Sequence, residues 1–551
     1  LAPAVLVFVL IQGFVFAATV QELDQKIENR DTAFYRDFFD GVFYKPFVRF
    51  LRFDQMATRA QIKKRQARDI NVFDEVPDSS FFVNRHGRRS VSLEELKRGP
   101  AQGTSLDPKG PWTVTKGKVE GMSTGFFIKD QSGVGYLLKF DPKDNPEMAT
   151  AAEIISHKFF YAFGYHVAEY YLVYFSSDIL QPDPNATYYD ENGFKKPLTQ
   201  EALQELIDRI PKFKGGELRA SASKLLPKPR KGYMDFDGRR ASDPDDLISH
   251  EDRRSIRSLR VFGSWLNHYD LRRDNTMDVV VEENGRAYVK HYLIDFGSTL
   301  GSAAYRPKVP AAGYEHIVDW AEIGKAIPTL KLVQKSWEKR WDELNREVKE
   351  PAIGIFDNYY FDPGRWKTQL PYEAFDRLTD ADGFWAAKTI MSFSNEQIKT
   401  LVSTGEYSDP EDEQLLTQIL IARRDLVGRY WFDRTAPLDQ IQLLRLSDRR
   451  YEIRFSDLGV RYGFSSVQDT TYRYRLTMRD QNGAKQAIPS AEFETPSFSF
   501  EIPPGNDPTH LEISIQLKRK TGDWSKPPVT VTLARRQADA SFEVAEIDHG
   551  V

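Results

Sequence analysis

Apolar and polar residues alternate with period two in two separate stretches of the chain, and helical spacing fills most of the interval between them. The first stretch starts at Trp112. "WTVTKGKVEGMSTGFFIKDQSGVGYLLKFD" carries Gly117, Gly121, Gly125, Gly133 and Gly135. It predicts three strands: a glycine turn joins the first two, and "SGVG" leads into "YLLKF". A helix follows, capped by Asn145, with Pro146 in its first turn and Gly164 at its end. "VAEYYLVYF" and "ELRASASKLL" predict two more strands, around an insertion over 182–216 with one short helix, "TQEALQELIDRI". Ser249 opens the next helix, whose Ile256, Leu259, Phe262 and Leu266 share a face. That helix runs into "NHYDLRRDNTM". "TMDVVVEENGRAYVKHYLID" then predicts a hairpin turning at Asn284-Gly285, and helices dominate to about residue 433. Alternation returns over 437–551, which predicts a separate β-sandwich-like domain.

The segment before Trp112 reads differently. An apolar run from Ala4 to Ala18 is broken only by Gln12 and Gly13, and Val15 and Ala17 stand where an export peptidase reads. It is short of the ~20 residues that a bilayer span needs. Residues 1–18 are therefore expected to be an export signal on a truncated start, with an uncleaved anchor as the alternative. Residues 19–107 are expected to form a helical extension. Its aromatic segment "FYRDFFDGVFYKPFVRFLRF" either packs on a domain or lies at a membrane surface. Ser92 and Glu95 form a capping-box pattern for a short helix that Gly99 stops.

Composition narrows the chemistry. A chain of 551 residues exceeds one hydrophobic core, so two or three domains are expected. The net charge of −4, from 76 basic and 80 acidic residues, gives no general attraction to nucleic acid. There is no cysteine, hence no disulfide, thiolate metal site or cysteine nucleophile. The nine histidines are scattered, and no G-x-x-x-x-G-K-[ST], H-E-x-x-H or G-x-S-x-G occurs.

Two loop motifs remain. Asp270 and Asn275 lie in "HYDLRRDN", and Asp295 ends the apolar strand "YLIDFG". Three oxygen-bearing side chains in loops suit a shared hard cation and a charged substrate. Phosphoryl transfer needs such a metal site, a cover for the phosphates, a cation to pair them and a base for the attacking hydroxyl. Gly117, Gly121 and Gly125 are the candidate cover, since glycine lets backbone N–H groups approach phosphate. Their spacing is not G-x-G-x-x-G. Lys139 lies late in an apolar strand, where its charge needs a partner. Glu153, mid-helix among small and apolar residues, is the expected partner. Glu147, in the first turn, is explained by the helix dipole alone.

The two motifs resemble the catalytic loop H-R-D-L-x-x-x-N and the D-F-G of the protein-kinase-like superfamily. His268, Asp270, Leu271 and Asn275 match the first, with Tyr269 in place of arginine; Asp295, Phe296 and Gly297 match the second. The resemblance implies an α+β, bilobal protein-kinase-like domain over 108–435. Its small antiparallel β N-lobe would span about 108–230 and its mainly helical C-lobe about 231–435. It implies ATP and Mg²⁺ as cofactors. Asp270 would accept the substrate hydroxyl proton, Asn275 and Asp295 would hold Mg²⁺, Lys139 would pair the phosphates, and Arg272 would neutralise the transferring group. There are two departures. "SAAYRPKVPAAGYEHIVDW" stands where an A-P-E segment belongs, and the hairpin between Asn275 and Asp295 is long. Both resemble atypical kinases of the CotH and HipA types, and an exported chain fits the CotH type. The expected activity is transfer of the ATP γ-phosphate to a hydroxyl of a protein or small molecule outside the cytoplasm, with association to a membrane or surface through the N-terminus. Nucleotidyl transfer (AMPylation) on the same fold and a catalytically inactive binding module are the alternatives.

Overall fold

The computed structural model describes residues 19–31, 38–44, 65–103, 106–117, 124–190, 193–320, 322–324, 337–338, 350–520 and 522–550. The expected export run, Gly121 and most of the aromatic N-terminal segment lie outside the described residues. Among the described residues no helix is long and apolar enough to cross a membrane.

The chain is a mixed α+β protein. Helix α1 (Val20–Lys26) starts in a full capping box made by Thr19 and Glu22. In α2 (Leu93–Arg98), Ser92 Oγ accepts the Glu95 N–H and Gly99 ends the helix at φ 59°. The expected return bond from Glu95 is absent: its carboxylate is taken by Arg89.

The strands expected from Trp112 onward form as β1 (Trp112–Gly117), β2 (Gly125–Lys129) and β3 (Gly135–Phe140). The helix after them, α3 (Met148–Phe163), ends at Gly164 as expected. Its start differs. Asn145 is not the cap; Glu147 occupies the N-cap position at φ 71°, and Asp141 Oδ1 reaches in to accept the Ala149 and Thr150 N–H groups, both at 2.8 Å. Next come β4 (His166–Val167), β5 (Tyr170–Phe175), β6 (Leu180–Tyr189), β7 (Lys195–Pro197), α4 (Gln200–Ile207) and β8 (Leu218–Lys224). The expected insertion is thus partly sheet. The order is β5-β8-β3-β2-β1-β6-β7, seven strands, with β6 parallel to β1. The small, purely antiparallel sheet expected from the sequence is corrected on both counts.

Alternation along β3 sends Leu138 and Phe140 to one face of this sheet, where they pack with Leu203 and Ile207 of α4. Lys139 is thereby left on the opposite face, toward α3. Arg219 in β8 is fully buried on the same side. It donates to Thr150 Oγ1 (2.9 Å), to Tyr174 Oη (2.9 Å) and to the carbonyls of Gly405 and Glu406.

The helix expected from Ser249 breaks at Ser258 into α5 (Arg254–Arg257) and α6 (Leu259–Leu266). The hairpin forms as β9 (Thr276–Glu283) and β10 (Arg286–Leu293). Asn284 and Gly285 at φ 53° and 74° make its tight turn. Helices α7 (Glu373–Asp376), α8 (Asp380–Met391), α9 (Asn395–Ser403) and α10 (Pro410–Phe432) follow. They bury Phe384, Trp385, Leu401 and Leu420 in one core with Phe159, Phe163 and Trp265.

The remaining strands are β11 (Leu438–Arg445), β12 (Arg450–Asp457), β13 (Thr470–Arg479), β14 (Lys485–Phe493), β15 (Ser497–Glu501), β16 (His510–Arg519), β17 (Val529–Arg535) and β18 (Phe542–Asp548). They form a three-stranded sheet, β11-β12-β15, and a five-stranded one, β14-β13-β16-β17-β18. Tyr451, Ile453, Leu476, Ile513 and Val531 share one hydrophobic cluster between them.

A buried ionic network fastens distant segments together. Arg254 is paired with Asp74 (2.8 Å) and Asp382 (2.9 Å), and His549 Nδ1 lies 2.8 Å from Asp74 Oδ2. Burial alone would raise the Asp74 carboxyl, but Arg254 and His549 together hold it down to about 2. A carboxyl depressed on folding adds stability above its unfolded pKa and loses it as pH falls through the folded value. The shift corresponds to about 2 kcal/mol, present at pH 5 and lost between about pH 4 and pH 2. Urea midpoints of wild type and Asp74→Asn should differ at pH 5 and converge toward pH 2. A gap that stays constant over that range contradicts the assignment.

Candidate active site

The β9–β10 hairpin brings the two sequence motifs together. Its register pairs Thr276 with Leu293, and one residue further the Ile294 N–H donates to the Asn275 carbonyl at 2.9 Å. Asn275 and Asp295 therefore emerge side by side although twenty residues separate them. Upstream, α6 ends at Asn267 in the left-handed conformation (φ 50°), with its N–H on the carbonyls of Gly263 and Ser264. Trp366 Nε1 donates to Asn267 Oδ1 at 2.9 Å and holds the turn in which Asp270 follows.

Within that loop the Asn275 Nδ2 donates to the Asp270 carbonyl (2.7 Å) and to Asp270 Oδ2 (3.2 Å). Arg272 Nε lies 2.6 Å from Asp270 Oδ1, and its Nη1 lies 3.4 Å from Asp274 Oδ2. The Asp270 carboxyl is pushed up from its ordinary value. Burial is the main cause and the Asp295 charge adds to it, while Arg272, Lys308 and the Asn275 amide oppose.

Lys139 faces these loops from β3. Its Nζ lies 2.8 and 3.2 Å from the two oxygens of Glu153 and 2.9 Å from Asp295 Oδ1. Lys139 and Glu153 are 7% and 1% exposed, so the pair has left water. Burial opposes the ammonium charge, but the Asp295 and Glu153 charges outweigh it and hold the group above the ordinary lysine range. The strand neighbours of Lys139 are small: Gly125 on β2 and Ser221 on β8. Glu147, the alternative partner, is elsewhere. Its carboxylate accepts the Ser408 N–H at 3.0 Å and lies 4.0 Å from Arg219.

The Asp295-Phe296-Gly297 motif is locked from behind. Asp295 adopts φ 61°, a left-handed conformation that aspartate tolerates better than most residues. Its N–H donates to Tyr170 Oη at 3.1 Å, and the Phe296 N–H donates to Glu153 Oε1 at 3.3 Å. Phe296 is fully buried against Phe160, 5.2 Å between ring centres. A Cβ at Gly297 would approach Glu153 Oε2 to 3.2 Å, so the glycine lets the chain pass close to that carboxylate.

The three glycines of the expected cover lie in different settings. Gly125 lies across the strand from Lys139. Gly117 is explained by packing, since a Cβ there would meet Tyr188 Cβ at 2.7 Å. Gly121 is outside the described residues.

One residue escaped the sequence. Lys308 lies ten residues past Ser298, in the segment after Asp295-Phe296-Gly297, and is 3% exposed. It donates to the Ser298 carbonyl (2.8 Å) and hydroxyl (3.0 Å). Burial holds its ammonium down to about 7, with Asp270 opposing. No periodicity marks it; its position is a contact between two loops.

The donor set suits a hard cation bound jointly with phosphate. Asn275 commits its amide nitrogen to Asp270 and keeps its oxygen as a donor. Asp295 supplies carboxylate. Among the described residues no group of three or more His, Asp or Glu side chains would hold a metal by itself. An amide oxygen and a carboxylate are hard donors of the kind Mg²⁺ takes, one or two from protein with water and substrate phosphate completing its shell.

No family model matches the chain, and no curated protein matches it in sequence. Solved structures give distant matches. The Golgi casein kinase covers 77% of this chain and 93% of its own at 9% identity and TM-score 0.31. The same kinase with Mn/ADP bound covers 74% and 93% at 9% identity and TM-score 0.31. The Helicobacter pylori proinflammatory kinase CtkA covers 56% and 94% at 13% identity and TM-score 0.28. Likenesses this distant leave the chemistry to be argued from the side chains.

Proposed function

We propose that the chain is an atypical protein-kinase-like phosphotransferase that moves the γ-phosphoryl group of ATP to a hydroxyl of a protein or small molecule. One observation carries the reading: the Lys139 ammonium touches Glu153 and Asp295 together, with Asn275 and Asp270 alongside. Lys139 binds and orients the nucleotide phosphates, and Glu153 keeps Lys139 in place. Asn275 and Asp295 are the residues that hold Mg²⁺, which when bound neutralises phosphate charge. Asp270 takes the proton from the acceptor hydroxyl as its oxygen bonds to phosphorus and the bond to the ADP oxygen breaks. On this reading the sheet β1–β8 and the helical part from α5 onward are the two lobes, and the strands from β11 form an attached β-sandwich-like domain. The apolar run at 4–18 supports a location outside the cytoplasm, with a membrane or surface close by.

The test is a thermal-shift titration. MgATP at about 100 times its dissociation constant should stabilise the native state by ~2.7 kcal/mol. ATP without Mg²⁺ should give less. Intact mass of a modified acceptor then separates added phosphate from added AMP. No shift at millimolar MgATP rejects the proposal.

A further inference from the structure

Three lysines of the described residues are buried: Lys139, Lys231 and Lys308. Two of them rest on carboxylates, Lys139 on Glu153 and Asp295, and Lys231 on Asp24. Lys308 does not. Its two hydrogen bonds go to neutral oxygens of Ser298, its third N–H has no acceptor among the described residues, and no carboxylate there lies within ion-pair distance. The Tyr269 ring lies beside it, 5.9 Å from Nζ to the centroid. A buried cation without a counter-ion is costly, so such a group either sheds its proton or meets a charge from outside.

The neighbours of Lys308 adjoin the proposed site residues in the chain. Ser298 follows Asp295-Phe296-Gly297 directly, and Tyr269 precedes Asp270. Asp270 is also the carboxylate that acts on Lys308 electrostatically. Arg272, the cation expected to meet the transferring group, is already committed: it is engaged with Asp270 and Asp274.

We propose that Lys308 is a further catalytic residue of the phosphotransfer site, its ammonium donating to the negative charge that develops on the transferring phosphoryl group, while Arg272 orients Asp270. This rests on the phosphotransfer reading above. The acceptor proton goes to Asp270, the new oxygen–phosphorus bond forms as the bond to the ADP oxygen breaks, and Lys308 keeps its own proton throughout.

The absence of cysteine allows a direct test. Lys308→Met removes the charge at similar size. Lys308→Cys places the only thiol of the chain there, and alkylation with 2-bromoethylamine, followed by intact mass, rebuilds an ammonium side chain. Removing one group that stabilises transition-state charge costs about 10²–10³ in rate. Lys308→Met should therefore lower kcat for phosphoryl transfer by about that factor, with the KM for MgATP and the MgATP thermal shift unchanged. Aminoethylation of Lys308→Cys should return at least about tenfold of its loss, and propylation of the same thiol should not. Wild-type kcat in Lys308→Met overturns the proposal, as does equal rescue by the two alkylations, since packing would then be the role. A wild-type chain that neither binds MgATP nor transfers phosphate overturns both this inference and the reading beneath it. An active wild type with an equally active Lys308→Met overturns this inference alone.

Discussion

Asp270→Asn is expected to bind MgATP with wild-type affinity and to transfer phosphate about 10²–10⁴ times more slowly, the range that a positioned general base supplies. The substitution keeps the shape of the loop. The Asn275 Nδ2 also donates to the residue 270 carbonyl at 2.7 Å, and the Leu271 N–H still reaches the His268 carbonyl. What is lost is a carboxylate able to take a proton and the charge opposite Arg272. Initial rates against MgATP concentration, with calorimetric nucleotide affinity, separate the two effects. A kcat within threefold of wild type would remove Asp270 from the chemistry.

Lys139→Met should have the largest effect on the fold as well as on the site. It leaves Glu153, 1% exposed, and Asp295 as two neighbouring carboxylates without the ammonium between them. Breaking a buried ion pair by removing one partner costs roughly 3–5 kcal/mol. The MgATP thermal shift should be lost in the same variant. Adding Glu153→Gln removes one of the opposed charges, so the double variant should be less destabilised than the sum of the single ones. Urea denaturation of the four proteins closes the cycle. Strict additivity would mean that the two side chains do not interact in solution.

What the sequence revealed follows from how local each feature is. Asp270, Asn275 and Asp295 were legible because each lies in a short motif beside an apolar strand or helix, and the Asn284-Gly285 turn sets the register that joins them. Lys139 was legible as a charge in an apolar strand, and Glu153 as an acid among small residues. The parallel pairing of β6 was not legible. "LQPDPNATYY" has two prolines and little alternation, and its register on β1 is interrupted between Val114 and Lys116. The cap of α3 is hidden from local pattern because its acceptor, Asp141, lies at the end of β3 rather than at the helix start. Lys308 has no local signal. Its meaning comes from Ser298 and Asp270, which the fold brings to it.

Arg219 has a consequence for motion. From within the seven-stranded sheet its guanidinium holds the backbone carbonyls of Gly405 and Glu406, just past α9. Swinging the sheet away from the helices would strip a buried guanidinium of those acceptors, and an unmet buried donor costs ~1–3 kcal/mol, more when charged. That cost biases the sheet and the end of α9 toward staying packed together, as a latch does.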